Sequence, residues 1–249
     1  MNIILKNGDK LEVAEGADCA AAAKAISEGL ARAAVAAKVN GELVDLSTAL
    51  KEGDSLEIVT LKDKEGLHVY RHTCAHVLAQ AIKNIFPTSK LAIGPVIDNG
   101  FYYDIDFKTP ITLEDFAKIE AEMKKIVKSN LPIERFTLPR SEAIALMSGF
   151  GENYKVELIN DLPEGEEISF YKQGAFIDLC RGPHLPSTGK IKAFKLMSIA
   201  GAYWRGDEKK KMLTRIYGTA FAKKEEMDAY FVMLEEAKKR DHIKLGREL

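Results

Sequence analysis

Two pairs of reactive side chains share one spacing in this 249-residue sequence. His72 and His76 lie four positions apart, and so do Cys180 and His184. On an α-helix, four positions correspond to about 400° of rotation, so the imidazoles of the first pair lie roughly 40° apart on one face. Three imidazole nitrogens and one thiolate sulfur could bind zinc tetrahedrally. The same groups could equally line a metal-free pocket in which imidazoles and a lysine position water.

The second pair belongs to a segment with a further acidic group. In a strand predicted over Ala175–Cys180, Asp178 and Cys180 share one face. A Gly-Pro turn then leads to His184. Taken alone, Cys180 is typical of a small core residue and Asp178 of a turn or cap. Together, these residues concentrate reactive groups in one short segment.

The elements that position these residues follow from apolar periodicity and capping signals. A helix predicted over Leu67–Phe86 carries both histidines and ends before Pro87. Its apolar residues cluster on the opposite side, so the imidazoles face solvent or a cavity rather than the main core. A second helix begins at Thr112, which can cap its first turn. The remaining predictions are a short helix from Ser141 and strands near Lys155–Ile159, Ile168–Tyr171 and Ala175–Cys180.

The first sixty residues predict a separate small domain. Asn7-Gly8 lies between two segments of alternating hydrophobicity, which is a strong β-hairpin signal. A second Asn-Gly, Asn40-Gly41, interrupts the segment Val35–Leu46. Asp18 can cap an alanine-rich helix that runs from Cys19 to about Glu28 and that Gly29 is placed to end. The last strand is predicted over Ser55–Thr60. Two strands, a helix and two or three further strands indicate a β-grasp, ubiquitin-like module.

We therefore predict an α+β fold in three parts. Residues 1–61 form the small β-grasp domain, and residues 62–222 form a mixed α+β domain that opens with a charged linker at 62–66. Residues 223–249 form a highly charged helix with a narrow apolar face.

Composition excludes several classes of protein. With 36 Lys and Arg against 37 Asp and Glu, the formal net charge is −1, which argues against a globally basic nucleic-acid binder. Apolar runs fall short of the roughly 18–20 residues needed to cross a bilayer, and no export signal opens the chain. Three scattered cysteines suit a reducing compartment, so we expect a cytoplasmic protein without a membrane partner. Rossmann, Walker and Gly-x-Ser-x-Gly motifs are missing from the sequence.

A local basic cluster keeps nucleic-acid binding open. It lies near Tyr203, Trp204 and Tyr217, and it consists of Lys209–Lys211, Arg215 and Lys223–Lys224. A contact with RNA phosphates and a solvated charged face are equally compatible with this pattern.

Several long motifs, in the same order, resemble the N-terminal half of bacterial-type threonyl-tRNA synthetases. They are His72-Thr-Cys-Ala-His76, Ile93-Gly-Pro-Val-Ile-Asp-Asn-Gly-Phe-Tyr-Tyr-Asp104, Asp178-Leu-Cys-Arg-Gly-Pro-His184, Gly201-Ala-Tyr-Trp-Arg-Gly-Asp207 and Arg215-Ile-Tyr-Gly-Thr219. The resemblance covers essentially the whole chain. It implies a TGS domain of β-grasp fold, an editing domain shared in outline with alanyl-tRNA synthetases, and a linker helix. The catalytic core would follow Leu249.

By this resemblance, the chain would hydrolyse the ester that joins serine to the 3′ end of threonine tRNA. Threonine and serine differ by one methyl group, and a single pocket rejects the smaller amino acid by only about 1–3 kcal/mol. A second pocket that admits seryl esters and excludes the threonyl methyl group would correct the errors. The partner implied is the acceptor end of tRNA(Thr) carrying serine.

The resemblance also implies roles for particular side chains. Catalytic roles fall to His72, His76, Lys155 and Asp178. Substrate contacts fall to Cys180, His184, Tyr102 and Tyr103.

The resemblance implies that this part of the protein works without a cofactor. ATP, magnesium and zinc would belong to the catalytic core, which would also form a homodimer. Alanyl-type relatives bind zinc through the groups that match His72, His76, Cys180 and His184, so zinc remains an alternative. A zinc-dependent, alanyl-type editing hydrolase and a catalytically silent tRNA-binding fragment are the two competing functions.

Overall fold

The computed structural model describes residues 1–245, with side chains described for residues 1–241. A small N-terminal domain packs against a larger mixed domain, and a long helix follows. The predicted α+β class, with a small β-grasp domain at the N-terminus, is confirmed. Among the described helices, none combines the length and the apolar character needed to cross a membrane.

The N-terminal domain has the β-grasp order of elements. These are β1 (Asn2–Leu5), β2 (Lys10–Glu12), α1 (Cys19–Ile26), α2 (Glu28–Ala33), β3 (Ala34–Val39), β4 (Glu42–Val44) and β5 (Ser55–Thr60). The sheet order is β2-β1-β5-β3-β4, with β1 and β5 parallel and the other neighbours antiparallel. The sheet and α1 enclose a separate small core that includes Ile3, Ala22 and Leu56.

Local turn chemistry explains both hairpins of this domain. Asn40 and Gly41 have φ +52° and +83°, and positive φ at both central residues is what a two-residue type I′ turn requires. Between β1 and β2, only Gly8 has a positive φ, +89°, so the glycine takes the left-handed position of a longer loop. The predicted hairpin at Asn7-Gly8 is confirmed, and Asn40-Gly41 forms a second one.

The helical segment of the domain differs from the prediction at one point. Asp18 caps α1 as expected, since its Oδ1 accepts a hydrogen bond from the Ala21 N–H at 2.8 Å. The chain then breaks at Ser27, which is extended and whose Oγ accepts a hydrogen bond from the Leu30 N–H at 3.0 Å. Ser27 thereby ends α1 and starts α2. The prediction that Gly29 ends the helix is wrong, because Gly29 lies inside α2.

The remaining elements belong to the larger domain and the final helix. They are α3 (Lys64–Ile85), β6 (Lys90–Leu91), β7 (Val96–Ile97), β8 (Gly100–Asp106), α4 (Phe116–Lys128), β9 (Ile133–Leu138), α5 (Arg140–Gly149), α6 (Asn153–Asp161), β10 (Ile168–Gln173), β11 (Phe176–Leu179), β12 (Ala193–Tyr203), β13 (Met212–Phe221) and α7 (Lys224–Leu245). Residues 246–249, predicted to continue the last helix, lie outside the described residues.

The larger domain contains two antiparallel sheets, and the first of them packs against α3. One has the order β12-β13-β8-β6, with β7 added beside β8, and the other has the order β11-β10-β9. The main core joins apolar residues of α3 to α4 and to the first sheet, including Leu78, Phe101 and Ile216. Val35 and Val59 of the β-grasp sheet belong to the same cluster. The small domain is therefore attached to the larger one through α3.

Two expectations for the larger domain are corrected by the structure. Residues 155–159, predicted as a strand, lie in helix α6. The short apolar run is compatible with both the strand period of 2 and the helix period of 3.6. Packing favours the helix, because Ile159 joins the core under β10 while Tyr154 packs on Trp204. The charged segment at 62–66 is not a free linker, since α3 already begins at Lys64.

The junction between the domains predicts opposite effects for two helical glycines. A Cβ at Gly66 would lie 1.9 Å from the Thr60 carbonyl oxygen, whereas the nearest atom to a Cβ at Gly29 is the Ser27 Oγ at 4.0 Å. We expect Gly66→Ala to lower the free energy of unfolding by about 1–3 kcal/mol through this clash. Gly29→Ala, the matched control, should raise it by about 0.5–1 kcal/mol. Urea unfolding measures both, and equal effects would contradict the close packing at Gly66.

Candidate functional site

Helix α3 presents His72 and His76 from consecutive turns. Their ring centroids are 5.3 Å apart, as the four-residue spacing predicts. His72 is half-buried, while His76 is only 3% exposed. His72 therefore contacts solvent, whereas His76 lies in the protein interior.

The segment after β11 meets this face of α3. The Cys180 Sγ lies 3.3 Å from the His72 Nε2 and 3.3 Å from the His184 Nε2. The His184 ring stacks on His72 at 4.3 Å and contacts His76 at 4.1 Å between centroids. Ligand atoms of the four residues all lie within 4.8 Å of one another. The two pairs found in the sequence thus form one cluster, which we call the His3Cys cluster.

A threonine between the two helical histidines orients His184. The Thr73 hydroxyl is 2.9 Å from the Val69 carbonyl oxygen and 3.0 Å from the His184 Nδ1. It also accepts a hydrogen bond from the Leu185 N–H at 3.0 Å. With its proton donated to Val69, the hydroxyl accepts from the Nδ1–H, so the His184 Nε2 carries the lone pair that faces Cys180. Thr73 thereby selects the tautomer of His184.

A buried ion pair lies next to the His3Cys cluster. The Lys155 Nζ is 2.8 Å from the Asp178 Oδ1, and each residue is almost fully buried. The Tyr103 hydroxyl donates to the Asp178 Oδ2 at 2.6 Å and accepts from the Lys155 Nζ at 3.0 Å. Lys155 is therefore neither a strand residue nor solvated surface. Helix α6 directs it into the interior, where Asp178 and Tyr103 satisfy it.

The glycine of the Ile93-Gly-Pro motif makes room for this tyrosine. A Cβ at Gly94 would lie 2.3 Å from the Tyr103 Cδ2, well inside van der Waals contact. The ring can therefore lie against the backbone and bring its hydroxyl to Asp178. Gly94 is explained by this close approach.

Two families match separate parts of the chain. Residues 1–60 match the TGS domain, and residues 168–217 match the threonyl and alanyl tRNA synthetase second additional domain. Over all 249 residues the chain is 63% identical to a threonine--tRNA ligase of Clostridium tetani and 61% identical to one of Acetivibrio thermocellus. A threonine--tRNA ligase of Pelobacter propionicus is 59% identical over the same length. The chain is a homologue of the threonine--tRNA ligases. It spans 39% of the length of each of these three relatives.

In this threonine--tRNA ligase homologue, the clustered imidazoles are neutral. Burial lowers the pKa of His72 to about 3 and that of His76 to about 4, and it also lowers the pKa of His184. Mutual repulsion between the histidines lowers the pKa of His72 and of His184 further. Since His76 is uncharged, its 3.8 Å approach to Asp178 is not an ion pair. Each imidazole can accept a hydrogen bond near pH 7.

The charges of the site are concentrated in the Lys155–Asp178 pair. Burial by itself raises the pKa of Asp178, but Lys155 and the hydrogen bond from Tyr103 outweigh it and hold the pKa below its usual value. Burial raises the pKa of Cys180 to about 12, so its sulfur is a neutral thiol. A neutral thiol is a weak nucleophile, and Cys180 is therefore suited to line a pocket.

Two open pockets border these groups. One, of about 270 Å³, includes Asp178 and Phe176 in its wall. The other, of about 230 Å³, includes Cys180 and Ser169. Both pockets lie at the edge of the site, and neither is lined by a clustered histidine or by Lys155. Within the cluster, His72 and Cys180 are only partly buried and provide its contact with solvent.

The structure separates Tyr102 from the other predicted site residues. Tyr102 and Tyr103 point to opposite faces of β8, as neighbours in a strand must. The Arg215 guanidinium lies over the Tyr102 ring at 3.9 Å and binds both oxygens of Asp104, and Tyr217 packs nearby. Of the eight predicted site residues, the structure brings seven together and leaves Tyr102 apart.

Three of the six residues in the predicted basic cluster form ion pairs. Besides the pairing of Arg215 with Asp104, Lys211 binds Asp106 at 2.6 Å and Lys224 binds Asp228 at 3.2 Å. Trp204 is buried and is not available for stacking on a base. These contacts favour a structural role for that half of the cluster.

Sequence reasoning missed two residues that orient the site. Thr73 lies inside the His72–His76 motif, and its place between the histidines was the available signal. Tyr171 packs edge-on against His184 with 4.5 Å between ring centroids. Its position directly across from Asp178 in the β10–β11 pair could have indicated it, once the hairpin register was known.

The buried imidazoles predict a loss of stability on acidification. Their folded pKa values lie below the unfolded value of about 6.5, so the unfolded chain binds more protons as the pH falls below that value. Each neutral histidine should then cost up to about 1.4 kcal/mol per pH unit. We expect the free energy of unfolding in urea with EDTA to fall between pH 6.5 and 5, with a shallower slope for His76→Gln. His68→Gln, at an exposed position of α3, is the control, and equal slopes for wild type and His76→Gln would contradict the buried neutral state.

Proposed function

We propose that the His3Cys cluster and the adjacent Lys155–Asp178 pair hydrolyse the ester of seryl-tRNA(Thr). The single observation that carries this proposal is the meeting of His72 and His76 with Cys180 and His184 in one partly exposed cluster, within a homologue of threonine--tRNA ligases. Part of the chain matches the second additional domain of threonyl and alanyl tRNA synthetases. The acceptor end of tRNA(Thr) carrying serine is the proposed substrate.

The reaction requires a positioned water rather than a protein nucleophile. Water oxygen forms a bond to the ester carbonyl carbon, the bond to the ribose oxygen breaks, and that oxygen takes up a proton. His72 is the most accessible of the three clustered imidazoles, and its neutral ring can accept a hydrogen bond from the water. A group with a pKa of about 3 is a weak base, so His72 acts mainly by orienting the water. The ester is already reactive enough for this to suffice.

Lys155 supplies the positive charge that the transition state needs. Two of its three N–H donors point to Asp178 and Tyr103. The third is available to the negative oxygen that develops on the ester carbonyl. A charge held by buried partners needs little reorganisation during the reaction. Asp178 and Tyr103 thus act by holding Lys155 in place.

Close packing of rings supports discrimination against threonine. The centroids of His76 and His184 are 4.1 Å apart, and Tyr171 packs against the far side of His184. These closely packed rings cannot move apart to accommodate an additional methyl group without strain. A serine hydroxymethyl group would fit where a threonine side chain would not.

Deacylation of purified aminoacyl-tRNA tests the proposal. The chain should accelerate the loss of serine from seryl-tRNA(Thr) and leave threonyl-tRNA(Thr) near its spontaneous rate. His72→Ala should lower the seryl rate by about 100-fold, because the water loses its orientation. His68→Ala is the matched control, since His68 is exposed on the same helix with its ring centroid 6.4 Å from that of His72. Equal slow loss of both esters, with and without the protein, would refute the function.

A zinc-dependent, alanyl-type hydrolase is the second candidate, and one observation favours it. The His76 Nδ1 is buried and has no hydrogen-bond partner among the described residues. Together with His72, Cys180 and His184 it offers a donor set that fits zinc. Bound zinc would act as a Lewis acid toward the ester or its attacking water. The neutral imidazoles can hold water by themselves, so our main proposal requires no metal.

Metal analysis separates the two candidates. For the metal-free reaction we expect less than one zinc per ten chains after purification without chelators, and an unchanged deacylation rate in EDTA. Cys180→Ser should then leave the zinc content unaltered. One zinc per chain, lost together with activity in EDTA and absent from Cys180→Ser, would establish the zinc enzyme instead.

A further inference from the structure

The β-grasp domain reaches the His3Cys cluster through one carboxylate. Asp45 directly follows β4 and is half-buried. Its Oδ2 accepts a hydrogen bond from the Tyr171 hydroxyl at 2.6 Å, and its Oδ1 accepts one from the His184 backbone N–H at 2.9 Å. Both donors belong to the larger domain, and one of them is the backbone of a cluster residue.

These bonds secure the turn that carries His184. Gly182 has φ +72°, and a Cβ there would lie 1.8 Å from the Tyr171 hydroxyl oxygen. The hydroxyl therefore fills the space beside the turn and points away from it to Asp45. Tyr171 supports one side of the His184 ring, and Thr73 fixes its Nδ1. Asp45 completes the set by holding the backbone from which the ring projects.

Asp45 is not needed merely to hold the two domains together. Val35, Ala36 and Val59 of the β-grasp sheet already pack into the main core around α3. Burial raises the pKa of Asp45, which means that desolvating this carboxylate is unfavourable. Apolar contact would join the domains without that cost. What the carboxylate adds is a fixed direction for two donors beside the cluster.

Other polar contacts between the domains lie away from the cluster. Lys38 pairs with Glu65 at the start of α3, and the Lys190 Nζ donates to the Arg32 carbonyl oxygen. Neither contact involves a residue of the site. Among the hydrogen bonds recorded for the described residues, those of Asp45 join the β-grasp domain to the His3Cys cluster.

We propose that Asp45 of the β-grasp domain is a positioning residue for hydrolysis at the His3Cys cluster, an inference that rests on the function proposed above. Asp45 acts through the backbone of His184 and through Tyr171, and it touches neither water nor ester. The β-grasp domain is thereby part of the hydrolytic site. Removing its carboxylate loosens His184 while His72 and Lys155 keep their own supports.

Kinetics of Asp45 variants in the 249-residue chain test this role. Asp45→Ala should lower kcat for seryl-tRNA(Thr) hydrolysis by about 10- to 100-fold and change KM little, because a displaced imidazole affects the reaction more than binding. Asp45→Asn should recover most of the rate. Its amide oxygen still accepts from the His184 N–H, and its amide nitrogen can donate to the Tyr171 oxygen.

Asp54→Ala is the matched control for a general loss of stability. Asp54 is also half-buried in the β-grasp domain and also accepts two hydrogen bonds at 2.8 Å, from the Asn40 side chain and the Lys51 N–H. Both donors lie inside the small domain, so this variant should hydrolyse seryl-tRNA at the wild-type rate. A rate for Asp45→Ala equal to that of wild type, or equal losses for both alanine variants, would overturn the proposal.

A readout without substrate separates this inference from the proposed function. The His184 amide proton donates to a carboxylate and should resonate downfield in a ¹H–¹⁵N NMR spectrum. Asp45→Ala should shift it upfield by several tenths of a p.p.m. and Asp54→Ala should not. If wild type failed to hydrolyse seryl-tRNA, the proposed function would fail, while this signal would still report whether Asp45 holds His184. An unmoved His184 signal in Asp45→Ala would refute the positioning role under either outcome.

Discussion

The central turns of helix α3, residues 73–82, are buried on every side, so a polar group there is costly unless it finds a partner inside the protein. Thr73 and Gln80 are both buried in its central turns. Gln80 accepts a hydrogen bond from the Gln173 side chain at 2.8 Å, and Thr73 accepts one from the Leu185 N–H. Because unpaired buried polar groups cost about 1–3 kcal/mol each, these bonds oppose sliding of the second sheet over the helix. That register brings the end of β11 to the two helical histidines.

The site combines many polar groups with few charges. Three imidazoles and a thiol are packed together in their neutral forms, and the buried charges belong to Lys155 and Asp178. The attraction within a buried ion pair is offset by the cost of desolvating both charges, unless their remaining donors and acceptors also form hydrogen bonds. Tyr103 uses that capacity by bonding to both partners. Neutral neighbouring side chains and one fixed cation, Lys155, suit a site that stabilises a developing negative charge.

The same physical constraints explain why the β-grasp domain is joined closely to the rest of the chain. Val35 and Val59 of its sheet pack in the core around α3. The connection is short, because α3 begins four residues after β5 ends. Tight coupling through Gly66 leaves little freedom between the domains. A side chain at the tip of the small domain can therefore be placed against the cluster with the accuracy of a single folded unit. The β-grasp domain, which has a core of its own, thus contributes a side chain to the surroundings of the cluster in the larger domain.

Local patterns in the sequence determined the parts of this protein that depend on a few neighbouring residues. Asn-Gly turns and the cap at Asp18 indicated the hairpins and the first helix of the β-grasp domain, and the four-residue spacing placed His72 and His76 on one helix face. Period-two and period-3.6 rules hold wherever the backbone is regular, so such predictions need no knowledge of distant segments.

Tertiary packing alone decided the rest. Helix α6 replaced a predicted strand because apolar neighbours cover two of its faces, and this placed Lys155 in the interior. Which of two adjacent tyrosines joins the site depended on which face of β8 lies against the core. The bond from the His184 N–H to Asp45 spans 139 residues. No local propensity encodes such a contact, because it exists only after two sheets have been buried against the same helix.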